Sequence, residues 1–402
     1  MDTDFADLPN LASPQLGARI VFATDEWFAA ADNMIADTEP VSNDDYTPFG
    51  KWMDGWENRR RRTEGHDWCI VKLGLPCVIK AIELDTGFFS GNFSPQASIL
   101  GANLEPTSQS AKTMQLLVES RDAGAGSEFA RMGLAATEEE MQRASSVDWG
   151  SWRTLVPLTP LGAGYPATRH NIFRVDAGVV THLRVNMGPD GGIGRMRVYG
   201  QVVVSPSIFP TSPGRDMDLA AVQHGGQAVA FSNAHYGHPR NLIAPGRGLC
   251  MGDGWETARQ PARPPVYQKG PDGLMLLPGC DWALLRLGCE GMLTSLEVDT
   301  NFYMGNYPES CMVETACLGD CSVEQLASPE QQQAAAGSGG WKVLLPRTRL
   351  GPSAKHMFHA ADNQLNQVGP VTHLRLTTYP DGGVMRLRAL GYKTSNATNS
   401  RL

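Results

Sequence analysis

The chain repeats itself, and that feature constrains its fold more than any other. GHDWCIVKLGLPCVIKAIELDTGFFSGN, Gly65 to Asn92, recurs without a gap as GCDWALLRLGCEGMLTSLEVDTNFYMGN, Gly279 to Asn306. KWMDGWEN before the first copy answers CMGDGWET before the second. WRTLVPLTPLG from Trp152 answers WKVLLPRTRLG from Trp341. VTHLRVNMGPDGGIGRMRVYG from Val180 answers VTHLRLTTYPDGGVMRLRALG from Val371. The blocks keep their order, so the chain reads as two copies of one domain. The 402 residues are enough for each copy to bury its own core. We set the copies at 15–203 and 219–394. SPSIFPTSPGRDMD from Ser205 is rich in Pro and Ser, has no partner in the other half, and reads as the linker.

Within a copy the blocks read as strands. From Val180 to Asn186, Thr181, Leu183 and Val185 take one face and His182, Arg184 and Asn186 the other. A Pro-Asp-Gly-Gly stretch follows, then Arg195 and Arg197 alternate with Met196 and Val198, which predicts a hairpin. Ile82 and Leu84 alternate with Glu83 and Asp85 in the same way. Many short strands with regular turns predict an all-β fold, a β-sandwich or jelly roll. EFARMGLAATEEEMQRA from Glu128 is the expected helix, with a weaker counterpart near SPEQQQAAAG.

Composition excludes some functions. The net charge of −8 argues against a surface built for nucleic acid or an anionic membrane. No apolar run reaches about 18 residues, and the acidic start MDTDFADLPNLAS is not a secretory signal. The eight cysteines form no C-x-x-C pair and fit no zinc spacing, so buried free thiols are expected. His235-x-x-His238 and His356-x-x-His359 lack a third ligand, so no metal is assigned.

Four groupings could carry chemistry. Arg59 to Arg62 run consecutively between Trp56 and Trp68; if extended, Arg59 and Arg61 face one way and Arg60 and Arg62 the other. Such a run is a solvated loop, a targeting signal or a clamp for a carboxylate or phosphate. FATDEWFA puts Asp25 and Glu26 beside aromatics, as an acid and base pair or a surface acidic pair. His182 and Arg184 are expected to lie across the hairpin from Arg195 and Arg197, and the cluster recurs as His373, Arg375, Arg386 and Arg388. Asp85, Thr86, Gly91 and Asn92 recur as Asp299, Thr300, Gly305 and Asn306, and read first as turn builders.

These blocks together resemble the allantoicase family. The resemblance is carried by FATDEWFA, GKWMDGWENRRRR, GHDWCIVKLGLP, DTGFFSGN and the paired VTHLR…PDGG blocks, and spans both halves. It implies a tandem duplication of a jelly-roll, galactose-binding-like β-sandwich. It implies a hydrolase acting on carbon–nitrogen bonds of linear amidines, turning allantoate into ureidoglycolate and urea in purine degradation. It also implies a homo-oligomer, and no cofactor is assigned. Allantoate is a carboxylate on a carbon bearing two ureido groups. Asp25, Glu26, His66 and Asp67 are therefore expected to move protons. Trp56, Arg59, Arg60, Arg61, Asn92, His182 and Arg184 are expected to bind substrate. The alternative is a double sandwich that binds ligand or carbohydrate without catalysis.

The second copy departs from this pattern. GWETARQPARPP breaks the arginine run, Cys280 stands where the first copy has His66, and FSNAHYG replaces FATDEWF. The active site is therefore expected in the first copy. Ser400-Arg401-Leu402 resembles a peroxisomal import tripeptide, with the cytoplasm as the alternative location.

Overall fold

A computed structural model describes residues 5–123, 131–319, 321 and 324–394. The chain divides into two compact units, Met1–Val203 and Val204–Leu402. In each, one long strand organises the rest. In the first unit it is Trp68–Asp85. Its early part pairs with Arg19–Ala23 on one side and Val179–Met187 on the other. After an irregularity between Lys72 and Cys77, its later part pairs with Arg195–Val202 and His170–Arg174. Gln96–Ala102 and Arg153–Pro160 extend the sheet beyond Val179–Met187.

The two parts of the long strand serve one core. Val71 and Leu73 before the irregularity, and Ile79, Ile82 and Leu84 after it, share a buried cluster with Leu183, Val185, Met196 and Val198. Each unit is thus a β-sandwich, in line with the duplicated all-β class. The second unit repeats the plan around Asp281–Asp299, paired with Val371–Tyr379 before the break and Arg386–Lys393 after it.

The helices differ from expectation. The first-unit helices are Gln109–Ala123, which the sequence pattern does not reveal, and Glu138–Ser145. The expected helix starts late. Ala135 bridges Asp25, and Thr137 then caps the helix, with Glu140 closing a capping box. Glu128 to Ala130 lie outside the described residues. Both helices cover the outer face of the sheet, packing Met114, Leu117, Val118 and Ala144 against Phe22, Trp68 and Ile70. That cover explains why His182 is buried on the nominally outer face of its strand. In the second unit Pro329–Ala336 is the corresponding helix.

The expected hairpin is absent. Val185 pairs with Cys69, whereas Arg195 pairs with Asp85, at opposite ends of the long strand. The loop between the two strands docks instead of turning: Gly192 and Ile193 pair with Glu57 and Trp56, and Gly191 N donates to Asn58 Oδ1 (2.8 Å). Gly191 has φ +130°, and a Cβ there would meet the Phe93 carbonyl at 2.6 Å, so glycine is required. Gly382 repeats both features.

Arg195 and Arg197 consequently do not face His182 and Arg184. Arg195 donates to the Thr38, Asp54 and Gly194 carbonyls and to Asp54 Oδ2; Arg197 donates to the carbonyls of Ala36, Asp37 and Thr38. Arg386 and Arg388 do the same to the Ala244–Gly246 segment. These four arginines hold loops.

The segment from Ser205, read as the linker, follows the boundary between the units and packs on the second: Phe209 is buried, and Lys393 N donates to Pro210 O (2.8 Å). One further expectation changes in part. All eight cysteines are free, yet only Cys69, Cys77 and Cys311 are buried, while Cys250, Cys280 and Cys317 are exposed. Among the described residues no helix is long and apolar enough to cross a membrane.

Candidate active site

The arginine run borders a cavity of about 610 Å³ in the first unit. Its walls include Thr24, Asp25, Arg59 to Arg62, His66, Asp67, Trp68 and Met141. The end of Arg19–Ala23 brings Thr24 and Asp25, the start of the long strand brings Asp67 and Trp68, and the second helix brings Met141.

The four arginines divide into two kinds. Arg59 donates from its backbone N (3.0 Å) and Nε (2.7 Å) to the Asp25 carboxylate, and its guanidinium lies 4.4 Å from the Trp27 ring centroid. Arg61 donates from Nη1 to Asp67 Oδ1 (3.1 Å), and its backbone N donates to Asp190 Oδ2 (2.8 Å). Arg60 and Arg62 line the cavity and take no hydrogen-bond or ion-pair partner among the described residues. The alternation along the run thus separates internally neutralised guanidiniums from uncompensated ones. Two exposed cations beside a cavity, without a partner among the described residues, are open to an anion.

Asp67 is the titratable group placed deepest. It is 4% exposed and accepts from Thr24 Oγ1 (2.8 Å) as well as from Arg61. Burial pushes its carboxyl above the ordinary range, and Thr24 and Arg61 offset part of that push. A carboxyl held in that way can keep a proton and give it up. His66 lies beside it, exposed, with Nε2 3.3 Å from Asn186 Oδ1. Asn186 Oδ1 also accepts from Arg184 Nε (2.8 Å). Arg184 is stacked between Trp68 (4.0 Å) and Trp149 (4.4 Å) and has no carboxylate partner among the described residues. Burial lowers its pKa to about 10, which still leaves it charged near neutrality.

The structure therefore brings Asp25, Arg59, Arg60, Arg61, His66 and Asp67 to one cavity, with Arg184 behind His66. It places four other sequence candidates elsewhere. Glu26 is 2% exposed and holds Arg121 through two hydrogen bonds of 2.7 Å, with Arg131 Nε at 3.1 Å. Burial opposes its charge, but the arginines and the Ala31 N–H prevail, so its pKa lies below the usual carboxylate value. Trp56 is fully buried and donates from Nε1 to Asp25 O (2.9 Å). Asn92 Nδ2 donates to Glu57 Oε1 (2.6 Å), a contact repeated by Asn306 and Glu256. His182 Nδ1 meets Thr181 Oγ1 at 2.9 Å; burial, reinforced by Lys72, lowers its pKa to about 4, so it stays neutral. Asp85 and Thr86 build their turn through Gly87 N (2.7 Å) and Gly162 O (2.8 Å).

Sequence reasoning missed Thr24, Asn186 and Trp149, and it grouped Arg62 with the run without assigning it to substrate binding. Asn186 carried a signal, since it shares a strand face with Arg184. Trp149 carried none, because a short 3-10 turn, Trp149–Ser151, delivers it. Among the described residues no group of three or more His, Cys, Asp or Glu is arranged to hold a metal. His238 Nδ1 accepts from Arg240 N (3.0 Å), and His356 Nε2 accepts from Gly351 N (2.8 Å), so both histidine pairs serve local structure.

The allantoicase repeat family model matches residues 9–203 and 217–394. The chain belongs to the allantoicase family. A relative named probable allantoicase 1, from Burkholderia mallei (strain ATCC 23344), is 38% identical over 386 residues, covering 95% of this chain and 94% of the relative. A probable allantoicase from Photobacterium profundum is 35% identical, covering 97% of this chain and 98% of the relative. The crystal structure of allantoicase from Saccharomyces cerevisiae matches with a TM-score of 0.65 at 29% identity, covering 97% of each chain. As an allantoicase family member, the chain carries two matches to the repeat and spans nearly the full length of these relatives.

Proposed function

We propose that this chain hydrolyses allantoate to ureidoglycolate and urea in the cavity of the first unit. The observation that carries the reading is the pairing of uncompensated Arg60 and Arg62 with a buried, protonatable Asp67 across one cavity. Arg60 and Arg62 hold the substrate carboxylate, each N–H donating to a carboxylate oxygen. Asp67 gives a proton to the ureido nitrogen as its bond to the central carbon breaks. Water supplies the oxygen that bonds to that carbon, and its proton passes to His66. Family membership and the relatives' names support this substrate; the cavity chemistry supports its place.

The test is urea release from allantoate by the purified chain, repeated with Arg60→Ala and Asp67→Asn. Release by the parent and loss in both variants is expected. Full activity in both variants would move the site elsewhere. Self-association is also proposed, with light scattering as its measure. For location we propose the cytoplasm, in keeping with the bacterial relatives. The alternative, peroxisomal import through Ser400-Arg401-Leu402, concerns residues outside those described. A fluorescent protein fused to that tail decides: punctate signal supports import, diffuse signal the cytoplasm.

A further inference from the structure

Two neighbours of Asn186 fix the orientation of the amide that faces His66. Arg184 Nε donates to Asn186 Oδ1 at 2.8 Å, and Asn186 Nδ2 donates to Ser98 Oγ at 3.0 Å. A guanidinium only donates, so the atom facing it must be the amide oxygen, and the amide cannot be flipped. That same oxygen lies 3.3 Å from His66 Nε2. An amide oxygen only accepts. A hydrogen bond between them requires a hydrogen on Nε2, which in the neutral ring leaves the lone pair on Nδ1.

The groups behind the imidazole are packed. Arg184 lies between the indoles of Trp68 and Trp149, and Asn186 is opposite Trp68 in the strand pairing. The second unit keeps the register, with Thr377 opposite Trp282. It has Cys280 in place of His66 and Thr377 in place of Asn186. Its arginine, Arg375, turns to Glu314 (2.9 and 2.7 Å) and Gln332 (3.0 Å). The imidazole and its amide partner are replaced together, while the arginine is kept.

We propose that Asn186 is a positioning residue that fixes His66 as the Nε2–H tautomer and leaves Nδ1 as the proton acceptor at the cavity. In the hydrolysis, Nδ1 takes one proton of the attacking water as its oxygen bonds to the central carbon. The C–N bond to the departing urea breaks, and the urea nitrogen takes its proton from Asp67. The protonated His66 and the Asp67 carboxylate then return to their starting states by proton exchange with solvent. This catalytic half rests on the function proposed above; the tautomer does not.

The test is long-range ¹H–¹⁵N NMR of the full chain carrying ¹⁵N-labelled histidine, at a pH where the ring is neutral. His66→Gln assigns the resonances by loss. The expected result is a lone-pair-type Nδ1 and a protonated Nε2 in the parent, and a mixture of tautomers in Asn186→Leu. Asn186→Asp retains an acceptor and should restore the single tautomer. In parallel, kcat of Asn186→Leu should fall about 10- to 100-fold, the usual effect of removing the outer partner that orients a working imidazole, with a smaller change in KM. A parent spectrum with the lone pair on Nε2 overturns the proposal, and it needs no variant to fold. An unchanged single tautomer in Asn186→Leu also overturns it. If the tautomer is as expected but allantoate yields no urea, the functional reading fails and the tautomer assignment stands.

Discussion

Asp25 and Asn233 occupy matching places and do the same work for the backbone. Asp25 Oδ1 accepts from Trp27 N (3.1 Å) and Arg59 N (3.0 Å); Asn233 Oδ1 accepts from His235 N and Ala258 N, both at 3.0 Å. The carbonyls of both residues accept from a buried indole, Trp56 or Trp255. Thr24 holds Asp67 as Ser232 holds Asp281, at 2.8 Å in each case. What differs is charge. Arg59 becomes Ala258, Arg61 becomes Gln260, and His66 becomes Cys280. In the second unit Arg375 has Glu314 and Arg263 has Asp381, while exposed Arg259, at the place of Arg60, has no partner among the described residues. In the first, Arg60, Arg62 and Arg184 have none among the described residues. The contacts common to both units run through backbone groups and build the frame. The contacts that differ leave Arg62 and Arg184 without a carboxylate among the described residues of the first unit, whereas Arg375 has one in the second. Arg60 and Arg62 are exposed, so water solvates them and they are open to an anion.

The comparison breaks first at the carboxyls. Asp67→Asn should lower kcat for urea release by about 10²- to 10⁴-fold, the range for losing an acid–base group. Asp281→Asn should leave steady-state kinetics unchanged; a matching loss there would make the units equivalent. The arginines come next. Arg60→Ala removes a charge-assisted contact of about 1.5–3 kcal/mol and should raise KM about 10- to 100-fold. Arg259→Ala, its exposed second-unit counterpart, should have no effect on KM. Leu100→Glu sharpens the contrast, because Leu100 lies opposite Arg184 as Glu314 lies opposite Arg375. The new carboxylate should clamp Arg184 as in the second unit. Urea release should fall, while circular dichroism and the melting temperature stay near the parent's.

The smallest effect is on stability. Burial raises the Glu57 pKa from 4.5 to about 7, with Asn92 opposing the rise. The folded state holds that proton more tightly than the unfolded chain does. Its contribution is therefore complete below the unfolded value and is lost as pH rises through about 7. Denaturant unfolding between those limits should show a slope on the order of 1–3 kcal/mol in total, absent in Glu57→Gln. An identical slope in both proteins would assign the titration to another group.

Much of the fold is legible in the sequence, and so is the grouping of several candidate residues around one cavity. Repetition locates the two units because two copies of one sequence fold alike, whatever the fold. The all-β class follows from alternation; of the candidates, His66 stands out by comparing the copies, since Cys280 replaces it, whereas Arg60 and Asp67 have counterparts in Arg259 and Asp281. What fails is inference from adjacency. The Pro-Asp-Gly-Gly stretch looks like a hairpin turn, but Asp190 and Gly191 dock on Asn58 and Arg61, and the flanking strands pair elsewhere. Glu26 looks equivalent to its neighbour Asp25, but successive residues point oppositely, and Glu26 enters the Arg121 network instead. Trp149 cannot be read at all, because a residue more than 80 positions from Trp68 meets it only through tertiary packing.

Arg195 and Arg197 grip their loop almost wholly through carbonyl oxygens. A main-chain carbonyl is the same whichever residue offers it. The segment held is Ala36-Asp37-Thr38 in one unit and Ala244-Pro245-Gly246 in the other, with one residue type in common. The grip reads the path of the chain and is blind to its letters. Such loops can drift in sequence while the frame stays put, which leaves mutation free to rework one site and silence its twin.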